Sequence, residues 1–117
     1  MMDEAQLARY CLGLPGARED YKWGGIRVLS VAGSKMFAVF GLAGDSLSLK
    51  VDKDLFLGYV DRPGIRPAPY LARAHWISLT LPLPVGDEEV RELLRRSHQL
   101  VVRRLPKKTQ VGLLLDL

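Results

Sequence analysis

Ile26-Arg27-Val28-Leu29-Ser30-Val31-Ala32-Gly33-Ser34-Lys35-Met36-Phe37-Ala38-Val39-Phe40 decides the fold. Two runs rich in β-branched and aromatic side chains flank a glycine-containing break, which is the signature of an antiparallel hairpin. Gly33-Ser34 is expected to be a two-residue turn joining a strand over 26–31 to a strand over 35–40. Upstream, from Glu19, Tyr21 and Trp23 alternate with Asp20 and Lys22, so the period of two already holds there. Downstream, Gly44-Asp45 closes the next turn, and Leu47, Leu49 and Val51 alternate with Ser46, Ser48 and Lys50. Side chains on a strand point alternately to opposite faces, so this last strand should bury one face and wet the other.

The period changes at both ends of this meander. Leu7, Ala8 and Cys11 fall on one side of a helix predicted over 3–12, with Asp3 as N-cap and Gly13 as C-cap. Leu14-Pro15-Gly16-Ala17 is a turn. Asp52 is expected to cap a short helix over 53–59 carrying Leu55, Phe56 and Tyr59. His75 to Leu81 reads as a further strand, with Ile77, Leu79 and Leu81 inward and Ser78 and Thr80 outward. Gly86-Asp87-Glu88-Glu89 opens a second long helix, its acids favoured by the positive end of the helix dipole. Val90, Leu93, Leu94, Ser97, Val101 and Leu105 form its core stripe, Pro106 stops it, and the apolar tail Val111–Leu115 docks.

This pattern defines an α+β fold in two layers. An antiparallel sheet of about five strands carries the N- and C-terminal helices on one face, and the other face is expected to be wetter. No repeat, low-complexity tract or linker divides the chain, so residues 1–117 are read as a single domain. The connector from Pro63 to Trp76 has neither helical nor strand period. Its prolines remove backbone donors and push the residues before them towards extended conformations, which makes it a stiff brace.

At 117 residues, 48% hydrophobic and 26% charged, the composition suits a soluble domain. No apolar run approaches a membrane span and the first residues are acidic, so a cytoplasmic address and a monomer are expected, with no membrane contact. The lone Cys11 and two histidines argue against a structural zinc site and an internal disulfide. Charge is unevenly placed. Residues 1–60 hold seven basic and seven acidic side chains, whereas residues 61–117 hold ten against six. Between 91 and 110 seven basic residues face Glu92 alone, which points to an anionic partner.

Several motifs resemble the MmcQ/YjbR family in order along the chain: Leu14-Pro15-Gly16-Ala17-Arg18-Glu19-Asp20, Lys35-Met36-Phe37-Ala38, Ser48-Leu49-Lys50-Val51, Pro63-Gly64, Pro67-Ala68-Pro69-Tyr70, His75-Trp76, Ser97-His98, and Leu105-Pro106-Lys107-Lys108. The resemblance spans about Leu7 to Lys108. It implies a frataxin-like (CyaY-like) α-β-α arrangement and a "double wing" DNA-binding label, the latter at the level of fold rather than of site. The chain departs from the family pattern at Ala32-Gly33-Ser34-Lys35, where a second glycine is common.

Three kinds of chemistry compete. For nucleic acid, Arg95, Arg96, Arg103, Arg104, Lys107 and Lys108 supply phosphate contacts, with Arg66 and Arg73 from the connector as secondary ones. On a helical wheel Arg91 joins Arg95, Arg96 and Arg103 opposite the apolar stripe. No motif for reading base sequence is present, so DNA would be bound without sequence preference. For a small molecule or protein partner, Tyr70, His75 and Trp76 could line a cleft beneath the connector. For catalysis, His75, His98, Glu19, Asp20, Ser97 and Cys11 form no recognisable nucleophile, metal or cofactor motif, so no catalytic residue, cofactor or reaction is assigned. A frataxin-like iron role is disfavoured because the first helix offers only Asp3 and Glu4, and hard cations need several oxygen ligands.

Overall fold

Strand-forming runs between residues 19 and 51 place a meander early in the chain, and the computed structural model, which describes residues 1–115, builds a larger sheet around it. The elements in order are helix α1 (Glu4–Leu12), strands β1 (Arg18–Lys22), β2 (Ile26–Val31), β3 (Lys35–Phe40) and β4 (Ser46–Lys50), and helix α2 (Phe56–Val60). Strands β5 (Ile65–Pro67) and β6 (Trp76–Thr80) follow, then helices α3 (Asp87–Val102) and α4 (Lys107–Gln110). The six strands run in the order β1-β2-β3-β4-β6-β5, and every neighbouring pair is antiparallel.

The extra strand corrects the expectation of about five. Ile65–Pro67, inside the supposedly irregular connector, pairs with β6 as an edge strand. An edge position tolerates Pro67 because one side of the strand needs no ladder donors. Gly64 leads into it at φ +80, and a Cβ there would sit 2.9 Å from the Cβ of Pro84, so both backbone conformation and space call for glycine.

The main core lies between one sheet face and helices α1 and α3. Leu29, Phe37, Leu47, Leu49, Ile77 and Leu79 are fully buried against Leu7 and Cys11 of α1 and against Val90 and Leu94 of α3. Asp3 caps α1 as expected, in a reciprocal box with Gln6. Helix α3 keeps the predicted start, but it ends at Val102 rather than at Pro106, and its buried stripe turns onto His98, Gln99 and Val102 in place of Val101. The tail docks in part: the Gln99 side chain donates to the carbonyl of Leu113 and accepts from the amide of Leu115, and both leucines pack on the core, whereas Val111 and Leu114 stay exposed.

The opposite sheet face is dry over its middle, with Thr80 exposed and Lys50 half-buried at its ends. Ser46, Ser48 and Ser78 are buried, and the Ser48 and Ser78 hydroxyls bond each other at 2.6 Å across the β4–β6 register. Val28, Val39, Ala68 and Trp76 form a second small core there, roofed by the connector, whose Ala68 amide donates to the carbonyl of Trp76. Two turns also differ from expectation. The β2–β3 hairpin has a three-residue loop, since Val31 pairs with Lys35, and Ala32 and Gly33 both take positive φ. Trp23 lies not in a strand but in the turn before Gly24-Gly25, at φ 49.

Candidate functional site

Antiparallel connectivity brings the start of β3, the end of β4 and the start of β6 to one end of the sheet, and the end of α3 lies against the same end. Four cationic side chains come with them. Lys35 opens β3, Lys50 closes β4, Arg73 lies in the short turn Ala72–Ala74 before β6, and Arg104 follows α3. All four line one open cleft of about 590 Å³, with His75, Trp76 and Leu105 among its other walls and no carboxylate among its lining residues. The Lys50 ammonium donates to the carbonyl of Ala74, which ties the connector to β4. Burial, and then the charge of Arg104, hold the Lys50 pKa below its ordinary value. Like charges are therefore packed together, an arrangement that an anion would relieve. The C-terminal end of α3 opposes this with roughly half a negative charge. Four full positive charges outweigh it, and the Gln110 side chain already donates to the Leu105 carbonyl near that end.

The structure sorts the expected nucleic-acid contacts into three groups. Arg73 and Arg104 converge in the cleft. Arg103, Lys107 and Lys108, which flank Arg104 and Leu105 in the chain, are exposed and, among the described residues, have no ion-pair partner. Arg95, Arg96 and Arg66 are occupied elsewhere. Arg95 pairs with Glu92 on its own helix. Arg96 makes a two-pronged bond to Asp52 at 2.8 and 2.7 Å, so the Asp52 side chain makes no capping bond to the tight turn Lys53–Leu55 that leads into α2. Arg66 reaches from β5 to the carbonyl of Ala43 at 3.0 Å. Lys35 and Lys50 were missed on sequence, although a hairpin register that sets the start of one strand beside the end of the next was the signal that could have found them.

The expected Tyr70/His75/Trp76 cleft divides in two. His75 and Trp76 line the basic cleft, whereas Tyr70 is 96% exposed at the mouth of a separate apolar cleft. His75 sits in the left-handed region at φ 65, its ring held edge-on by Phe56, and its carbonyl accepts from the Val51 amide. A third cavity, between α2 and α3, contains the Asp52–Arg96 pair and Glu89, which Arg62 already neutralises. Lys50 and Glu92 line it too, and Arg95 pairs with Glu92, so each of its carboxylates already has an arginine partner.

Three of the groups considered for catalysis, Cys11, Ser97 and His98, are engaged in the core. Burial pushes the Cys11 thiol up to about 12, so it is not a nucleophile at neutral pH. The Ser97 hydroxyl donates to the carbonyl of Phe37 at 2.6 Å and accepts from the Lys50 amide at 2.9 Å. His98 is fully buried, with Nε2 donating to the Pro15 carbonyl and Nδ1 accepting from the Gln99 side-chain Nε2, both at 2.8 Å. Burial lowers its pKa, and the Pro15 bond opposes this more weakly. A depressed folded pKa means that the unfolded chain takes the proton first. Stability should therefore be full above the unfolded value of about 6.5 and be lost as pH falls through the folded one. Asp52 and Glu89, whose pKa values are lowered by their arginine partners, lose their contribution only in a separate, more acid window. Urea denaturation across pH 7 to 5 should show the first decline, and His98→Asn should flatten it.

Among the described residues no helix is long and apolar enough to cross a membrane, and no three His, Cys, Asp or Glu side chains gather as a metal site would require.

Comparison with known proteins places these features in context. The YjbR family model matches residues 12–100. An uncharacterized protein YjbR of Escherichia coli K12 is 29% identical over 112 residues, covering 92% of this chain and 93% of that protein. The crystal structure of Deinococcus radiodurans protein DR2400, a DUF419 domain, is 30% identical and covers 99% of this chain and 91% of its own, with a TM-score of 0.85. A Pseudomonas syringae crystal structure is 27% identical, covers 86% of this chain and 99% of its own, and has a TM-score of 0.70.

Proposed function

The chain belongs to the YjbR family, and for this member we propose nucleic-acid binding through phosphates, without base-sequence readout and without catalysis, by a monomer in the cytoplasm. One observation carries the reading: Lys35, Lys50, Arg73 and Arg104 line a single cleft that contains no carboxylate. A phosphate backbone is the repeating anion such a cleft suits, and Arg103, Lys107 and Lys108 extend the positive surface past its rim. The DNA-binding expectation attached to the family resemblance agrees with this and adds no residue-level support of its own.

Binding of this kind releases counterions. Each phosphate contact on a duplex contributes about −0.9 to the slope of log affinity against log salt. Four contacts then give a slope of roughly −3 to −4, so raising salt from 50 to 200 mM should weaken binding on the order of a hundredfold. Fluorescence anisotropy with a labelled DNA oligonucleotide measures this. Absence of binding at low salt, or an affinity indifferent to salt, overturns the reading.

A second reading has one observation in its favour. Trp76 and His75 sit in the wall of the basic cleft, as they would for a small aromatic anion. Thermal-shift screening of such compounds separates the two, since a ligand bound by the native state raises its melting temperature.

A further inference from the structure

Trp23 and Tyr70 are large aromatics held in the left-handed backbone region, at φ 49 and φ 66, where bulky side chains are rarely found. Both are exposed, at 63% and 96%, and both line the same apolar cleft of about 450 Å³. They come from elements distant in sequence, the β1–β2 turn and the connector, and the floor between them includes Ile26, Met36, Val39 and Leu71. Such backbone strain persists only where the surroundings impose it, and here it holds two rings at the mouth of one cleft. Met36 also lines the basic cleft, so the apolar and cationic surfaces are contiguous.

Resting on the phosphate-binding reading above, we infer that the nucleic acid is single-stranded, with an unpaired base entering the apolar cleft and stacking on Trp23 and Tyr70 while the adjacent backbone lies along Lys35, Lys50, Arg73 and Arg104. A basic track beside exposed aromatic faces is the combination that binds single strands without sequence preference, because every base has a π-face. In a duplex those faces are covered by neighbouring base pairs, so the apolar cleft would remain unused. Charge complementarity favours this occupant over a second copy of the chain, whose net charge is +4 and whose own basic cleft would adjoin the contact.

The test compares a labelled oligothymidine with a duplex of equal length by anisotropy at fixed salt, for the wild type and for Trp23→Asn and Tyr70→Asn. Asparagine removes the ring and accepts the left-handed backbone, so the fold is kept. The single strand should bind at least tenfold more tightly than the duplex. Each substitution should weaken the single strand by roughly 5- to 100-fold and leave both the duplex affinity and the salt slope unchanged. Tyr70→Phe should behave as the wild type. Equal affinity for the two oligonucleotides, or indifference to both asparagine variants, overturns the single-strand inference and leaves phosphate binding standing. Failure of both oligonucleotides to bind removes the underlying reading itself. Concentration-dependent dimerisation abolished by Trp23→Asn assigns the cleft to a second copy and overturns the inference.

Discussion

Ser97→Ala is expected to lower the free energy of unfolding by about 2–4 kcal/mol, a large part of the stability of a domain of this size. The β3–β4 ladder runs from Phe40↔Leu47 to Ala38↔Leu49. At the next position, Phe37 opposite Lys50, the Ser97 hydroxyl stands between the strands, donating to one carbonyl and accepting from the other amide. Ser97 is fully buried, so alanine leaves a carbonyl and an amide without their side-chain partner. Each orphaned group costs about 1–3 kcal/mol. Chemical denaturation should show a lower midpoint at an unchanged slope, and the melting temperature should fall on the order of 10 °C. A loss below about 0.5 kcal/mol would mean that the strands close the ladder themselves.

Arg73→Glu with Arg104→Glu is expected to weaken oligonucleotide binding by roughly a hundredfold or more at low salt and to bring the salt slope close to zero. The reason is local. Two of the four cleft cations become anions, and Lys35 and Lys50 are left to balance them. Arg91→Glu with Arg95→Glu changes the net charge by the same amount, from +4 to zero. Neither of those residues lines the basic cleft. That control should weaken binding by about tenfold or less, the part due to the general field of the protein. Equal losses in the two double variants would assign the effect to net charge alone.

Much of the fold was legible because each segment carried its own period. Leu47, Leu49, Ile77 and Leu79 announced their strands by alternation, and Asp3 announced its helix. Where the reading failed, the cause was a contact between distant residues. Ser48 and Ser78 look like solvent-facing positions, yet thirty residues apart they satisfy each other and allow the connector to cover them. Ile65–Pro67 is too short to show a period and becomes a strand because β6 offers it a free edge. The site was legible only in part for the same reason. A helical wheel groups Arg95 and Arg96 with the free cations, but Asp52, 44 residues earlier, binds Arg96, and Glu92 binds Arg95. The cations that do converge come from two strand ends, a turn and a helix end. Local spacing cannot show such a set, although strand register can.

The most direct measurement is an amide chemical-shift titration of the isotope-labelled protein with a short DNA oligonucleotide at low salt. Binding through the basic cleft predicts the largest shifts at Lys35, Lys50, Arg73, Ala74 and Arg104, with smaller ones at Arg103, Lys107 and Lys108. Shifts centred on Arg91 and Arg95, or spread evenly over every exposed cation, would contradict it.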